Sequence, residues 1–123
     1  MVIRTHTTGL ITCTTTSDTV TLPDVTGRVK SIAIKPSGTT TKFAISATKA
    51  GVVEYILGAT PYQVAAAGVV VQTRKLAVDV DGAALTVTAN QYVDFVLDHH
   101  DLTIAVTECA NAETYTVEVI VEE

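Results

Sequence analysis

A chain of 123 residues and 12.9 kDa fits one domain of ordinary size and leaves no room for a second with its own core. Its formal charge is −5, its sequence pI is near 5.0 and it has no Trp. It therefore lacks the basic footprint and stacking platform of a nucleic-acid binder. Charged residues make up 17% of the chain, against about 25% in a typical soluble domain, which argues against disorder.

Thr and Val alone fill 41 positions. Both are β-branched, stiff at χ1 and suited to a pleated, half-buried surface, so the composition predicts an all-β fold. The start, Met1 to His6, has no apolar run followed by a small-residue cleavage site, so no secretory signal is expected and synthesis in a cytoplasm is. A Thr-rich first segment follows, residues 1–16, which reads either as an N-terminal arm or as a first strand.

In chain order, Val20-Thr21-Leu22 alternates and is expected to end in a turn at Pro23-Asp24. The run RVKSIAIK (28–35) predicts a strand closed by Pro36-Ser37-Gly38. Residues 39–49, TTTKFAISATK, predict a strand with Phe43, Ile45 and Ala47 on one face and Lys42, Ala44 and Ser46 on the other, following the period of two. VVEYIL (52–57) predicts another, followed by a loop at Gly58-Ala59-Thr60-Pro61. Ala65 to Gly68 suits a helical turn, but Gly68 and the Val69-Val70-Val71 run pull it back toward strand.

Leu76, Val78 and Val80 alternate with polar neighbours, Asp81-Gly82 supplies a turn and Leu85, Val87 and Ala89 return, which is a hairpin pattern. Val93, Phe95 and Leu97 predict a strand, Asp98 to Asp101 a turn, and Leu102, Ile104 and Val106 the next strand. The last strand sets Tyr115, Val117, Val119 and Val121 against Thr116, Glu118 and Glu122. About eight short antiparallel strands with turn signals every 8 to 12 residues indicate a single β-sandwich or jelly-roll-like domain over 1–123.

All eight basic residues precede Leu76 with three acidic ones, while residues 76–123 hold ten carboxylates and no Lys or Arg. The net charge thus runs from +5 to −10. Either the two halves interleave in the sheet and cancel, or the surface is bipolar and suited to orienting partners. The segment YILGATPYQVAAAGVVVQT between Glu54 and Arg74 is uncharged. Gly58, Pro61, Gln63, Gly68 and Gln72 interrupt it well short of the roughly 20 apolar residues of a spanning helix, so no membrane span is predicted. It reads as core, with PYQVAAAG the part that would form an oligomer contact if exposed.

Candidate chemistry is sparse. Asp98-His99-His100-Asp101 offers metal-type ligands, but neighbours on an extended backbone point apart and a structural zinc wants about four ligands, so a solvated turn is expected. Asp79-Val80-Asp81-Gly82 starts like a calcium loop, yet AALTVT supplies neither the later oxygen ligands nor the closing Glu. No G-x-S-x-G is present. Neither catalytic residues nor a cofactor or metal site are assigned, and a non-enzymatic role is expected. Cys13 and Cys109 meet only if first and last strands approach, and two buried free thiols are the expectation.

At RKLAVDVDGAAL (74–85), with Arg74, Leu76, Asp79, Gly82, Ala84 and Leu85 as the spaced positions, and at the flanking ILGATP, YVDFVL and DLTIAV, the chain resembles small all-β virion proteins of tailed bacteriophages. Thr73 stands where the resemblance expects Pro. Such proteins include capsid decoration or cement proteins, so the resemblance implies a structural protein on the capsid surface, made in the host cytoplasm. It would bind the major capsid protein and copies of itself, as a dimer or trimer, with no nucleic acid or membrane partner. The candidate capsid or subunit contacts are Val2, Ile3, Arg4, His6, Tyr62, Arg74 and Lys75. A rival reading is an adhesion or carbohydrate-binding module of a fibre or cell surface, for which Tyr62 and Tyr92 lead a small aromatic set. A hydrolase using His99 or His100 is a third.

Overall fold

The computed structural model describes residues 2–76 and 92–123. Ten strands occur in them and no helix: β1 (Ile3–Thr7), β2 (Ile11–Thr12), β3 (Ser17–Pro36), β4 (Lys42–Lys49), β5 (Val52–Gln63), β6 (Val69–Val71), β7 (Arg74–Leu76), β8 (Tyr92–Asp94), β9 (Val96–Thr107) and β10 (Thr114–Glu122). One antiparallel sheet runs in the order β1-β10-β3-β9-β4-β5, with β2 also on β10 and β6 also on β3, and β7 pairs separately with β8. The fold is all-β, in a sheet that does not close into a barrel.

The sheet folds over itself. Strands β10 and β4 are three places apart, which in a flat sheet is about 14 Å. Yet the rings of Tyr115 on β10 and Phe43 on β4 meet edge to face with centroids 5.8 Å apart. Strand β3 makes the fold possible, because residues 17–28 pair with β9 and residues 28–36 with β10. It thereby belongs to both layers. The core lies between them, with Ile32, Ile34, Val117, Val119 and Val121 from one side and Phe43, Ile45, Ile104 and Val106 from the other, all buried. Alternation places these residues: Phe43, Ile45 and Ala47 are buried together, as are Tyr115, Val117, Val119 and Val121.

Three expected turns are instead irregularities within strands. Pro23-Asp24 does not end a strand, since β3 runs for 20 residues through it. Asp98 to Asp101 likewise lie inside β9. The registers explain both: from the pair Leu22/Leu102 to Val25/His100, β3 holds one residue more than β9, and from there to Gly27/Leu97, β9 holds one more than β3. Two opposed bulges cancel, so the strands kink together and the ladder resumes. Gly58 to Pro61, expected as a loop, lies within β5 at a register shift against β4. Gly58 has φ +73°, and a Cβ there would sit 2.5 Å from the carbonyl oxygen of Phe43, so only Gly permits this close approach.

Residues 3–7 pair with β10 from Ile3/Glu122 to Thr7/Glu118, so this part of the N-terminal segment is a strand along one sheet edge. Arg74/Asp94 to Leu76/Tyr92 pair antiparallel; the Asp81-Gly82 turn expected between them lies outside the described residues. Cys13 and Cys109 form a disulfide with Cα atoms 6.3 Å apart, against the expectation of free thiols. The Cys13 amide donates to the Glu113 carbonyl, and the Ala112 amide to that of Cys13. These bonds draw the β2–β3 and β9–β10 connections together, which separation in sequence does not reveal.

Candidate functional site

The topology decides how charge is distributed. Along β1-β10-β3-β9-β4, every neighbouring pair joins a strand from the basic first half to one from the acidic second half. The ion pairs follow suit: Arg4–Glu123 at 2.6 Å, Lys49–Asp98 at 3.0 Å, Lys42–Glu108 at 3.4 Å, and Lys30 at 3.7 Å from both Asp94 and Glu122. Each crosses from one half to the other. The bipolar surface considered from sequence is therefore replaced by interleaved charges, which favour the native strand order.

The His pair is part of the opposed bulges. His99 and Asp24 both have positive φ, +54° each. The His99 Nδ1 lies 2.5 Å from Asp24 Oδ1, while the His99 amide donates to Thr26 Oγ1 and the Asp24 amide to Asp101 Oδ1. The hydrogen bond to Asp24, then its negative charge, raises the His99 pKa above the ordinary 6.5. The hydrogen bond from Lys49, then its charge, lowers that of Asp98. His100 is turned to a different task, its Nδ1 accepting from the Asp98 amide. Among the described residues no group of three or more His, Cys, Asp or Glu is disposed to hold a metal ion. The calcium-like Asp79 to Gly82 lies outside them.

The sequence candidates do not form one patch. Val2, Ile3, Arg4 and His6 lie at or on β1, one end of the strand order, and Tyr62 lies on β5, the other. Arg74 and Lys75 are on β7, opposite Asp94 and Val93. Val2, Ile3 and Arg4 are exposed, whereas the His6 Nε2 is buried without a hydrogen-bond partner among the described residues. Sequence reading marked 52–57 as a strand but not as the one that ends the sheet among the described residues, where Val52 is 69%, Val53 55% and Tyr55 52% exposed. Periodicity marks a strand but carries no sign of where that strand falls in the strand order. Within the uncharged 55–73 segment, Ile56 and Val64 reach the core, while most of PYQVAAAG is exposed.

The aromatic set is divided as well. Phe43, Phe95 and Tyr115 are buried. Tyr55 pairs with Ser46 and Tyr62 with Phe43. Directly paired residues share a sheet face, and positions 43 and 46 lie three apart on a β4 whose register with β9 is unbroken. Tyr55 and Tyr62 thus occupy opposite faces and cannot make one stacking platform.

An open groove of about 480 Å³ lies where β10, β3 and β6 meet the turn before β6. It is lined by Ile34, Val69 and Val70, with Lys35 and Glu118 as its charged members. No helix among the described residues is long and apolar enough to cross a membrane. No family model, curated protein or solved structure matches the chain.

Proposed function

We propose that the chain is a non-enzymatic structural protein of a tailed-phage virion, a capsid decoration or cement protein that stabilises the head by binding the major capsid protein in many copies. The observation that carries this reading is the pair of strands that end the sheet among the described residues, β1 with exposed Val2 and Ile3 beside it and β5 with exposed Val52, Val53 and Tyr55. A strand at the end of a sheet, flanked by apolar side chains, is a template for strand addition and contact between chains. The resemblance of residues 74–85 and their flanks to small all-β virion proteins supports the same role. Many moderate contacts on a repeating lattice hold by avidity, without one tight pocket.

The carbohydrate-binding alternative is less well supported, because the exposed tyrosines Tyr55 and Tyr62 lie on opposite faces. The test is co-sedimentation of the purified protein with expanded capsids of the phage that encodes it, together with the temperature at which those capsids rupture. Stoichiometric pelleting and a raised rupture temperature are expected. Protein that stays in the supernatant while folded overturns the reading.

A further inference from the structure

Cys13 carries the first buried side chain of the described residues, since none from Val2 to Thr12 is buried. Its link to Cys109 therefore lies between a weakly anchored N-terminal segment and the core. Around the link, four backbone bonds of 2.8–3.2 Å close one end of the fold: the Cys13 amide donates to Glu113, Ala112 to Cys13, Glu113 to Ala110 and Cys109 to Thr16. Beyond the two cysteines these connections bury no side chain: Thr14, Thr15 and Thr16 are exposed, as are Glu108, Ala110, Asn111 and Ala112. Glu108 and Ala112 have φ +55° and +70°, a left-handed backbone that is costly for a residue with a Cβ and persists only where its surroundings hold it.

We propose that the link between Cys13 and Cys109 is a redox-operated clasp, which opens and closes by movement of residues 13–16 and 108–113 while the core between the two layers stays intact. Little burial and a few backbone bonds hold these connections, so opening them takes less free energy than unfolding the chain. That opening uncovers the two cysteines, 1% and 0% exposed when closed. The chemistry is thiol–disulfide exchange: the thiolate of a small dithiol attacks one sulfur, the S–S bond breaks, and the other cysteine leaves as a thiolate and takes up a proton. The second thiol of the reagent then displaces the mixed disulfide, so the dithiol ends as a cyclic disulfide and the protein has gained two electrons and two protons. Closing is the reverse, with a small-molecule disulfide as oxidant. Once the sulfurs part, the turn at 108–113 relaxes, and the stretch free to peel from the sheet lengthens from residue 12 to residue 16, just before β3 pairs with β9 at Ser17. A cytoplasm keeps thiols reduced and extracellular media do not, so the clasp responds to which of the two surrounds the chain, whether or not the chain binds a capsid.

The test is reduction of the native full chain by excess dithiothreitol, with free thiols counted by alkylation and mass spectrometry, followed by amide exchange read by NMR. Reduction is expected to proceed without unfolding, at a rate that Ile45→Ala leaves within about twofold. Ile45 is fully buried, so its truncation weakens the whole fold, and a reduction that required unfolding would speed up at least about 30-fold. In the reduced chain the amides of Cys13, Cys109, Ala112 and Glu113 are expected to exchange at least about tenfold faster, while circular dichroism still reports the sheet. Replacing both cysteines by Ala is expected to reproduce that exchange pattern. A disulfide reduced only as the chain unfolds, an Ile45→Ala rate raised in proportion to the lost stability, a reduced chain without sheet structure, or four amides as protected as before: each of these overturns the proposal.

Discussion

The Asp24 carboxylate and the His99 imidazole lie 2.5 Å apart, each in a bulge that cancels the register shift of the other. Two residues with left-handed backbone thus face each other where β3 passes between the layers. Neither is glycine, and for both the conformation costs more than an ordinary strand position. The side-chain bond and the amide bonds to Thr26 and Asp101 tie the two kinks together.

The first prediction is a pH dependence. The His99 pKa is raised in the folded chain by Asp24. Its contribution to stability is therefore fully present below the unfolded value near 6.5 and fades as pH rises through the higher folded value. Both groups are exposed, so the effect is small. Titration followed by NMR should place His99 above 6.5, and Asp24→Asn should bring it back down. A His99 value unmoved by that replacement contradicts the assignment.

The disulfide gives a second prediction. Cys13 and Cys109 are 96 positions apart, and cross-linking so long a loop is worth about 4.7 kcal/mol in the chain-entropy description. Reduction, or replacement of both cysteines by Ala, should lower the urea midpoint without changing the strand content seen by circular dichroism. An unchanged midpoint would show that the link contributes nothing to the folded state.

The contact between Phe43 and Tyr115 separates two sources of stability. Phe43→Ala removes a fully buried ring and should cost about 3–5 kcal/mol through lost burial and a cavity. Tyr115→Phe keeps the ring and loses only the hydroxyl that donates to the Asp18 carboxylate at 2.8 Å, so about 1.5–3 kcal/mol is expected. Burial and the bond to Asp18 push the Tyr115 phenol well above its usual range. Its ultraviolet titration should therefore lie above the usual phenol range until the chain unfolds.

Thr73 is a site for gain. Its side chain is buried and its Oγ1 has no hydrogen-bond partner among the described residues. Val is nearly isosteric and removes the stranded hydroxyl, so Thr73→Val should stabilise the chain by about 1 kcal/mol. A lower midpoint would mean that the hydroxyl is satisfied.

The strand content, and the side each residue presents, follow from local chemistry. Runs such as 43, 45, 47 and 115, 117, 119, 121 alternate with a period of two, and β-branched residues favour the extended backbone, so a core face is legible from spacing alone. Pro23-Asp24 and Asp98 to Asp101 carry turn-forming residues, and the same chemistry serves a bulge. Only the partner strand across β3 and β9 decides between them, by supplying a compensating kink. Glycine at 58 signals a break in regularity but not whether the strand continues beyond it. The candidate contacts at Val2, Ile3, Arg4 and Tyr62 were visible as residues, but their separation onto opposite sheet edges was not.

The charge pattern shows the same division. Sequence by itself determined an all-β chain with its cations ahead of Leu76 and an excess of carboxylates after it. Tertiary structure alone decided that those halves lie strand by strand beside each other, that Cys13 reaches Cys109, and that β1 and β5 end the strand order among the described residues. Strand order depends on contacts between residues far apart in the chain, and neither periodicity nor composition encodes which strand a given edge will meet.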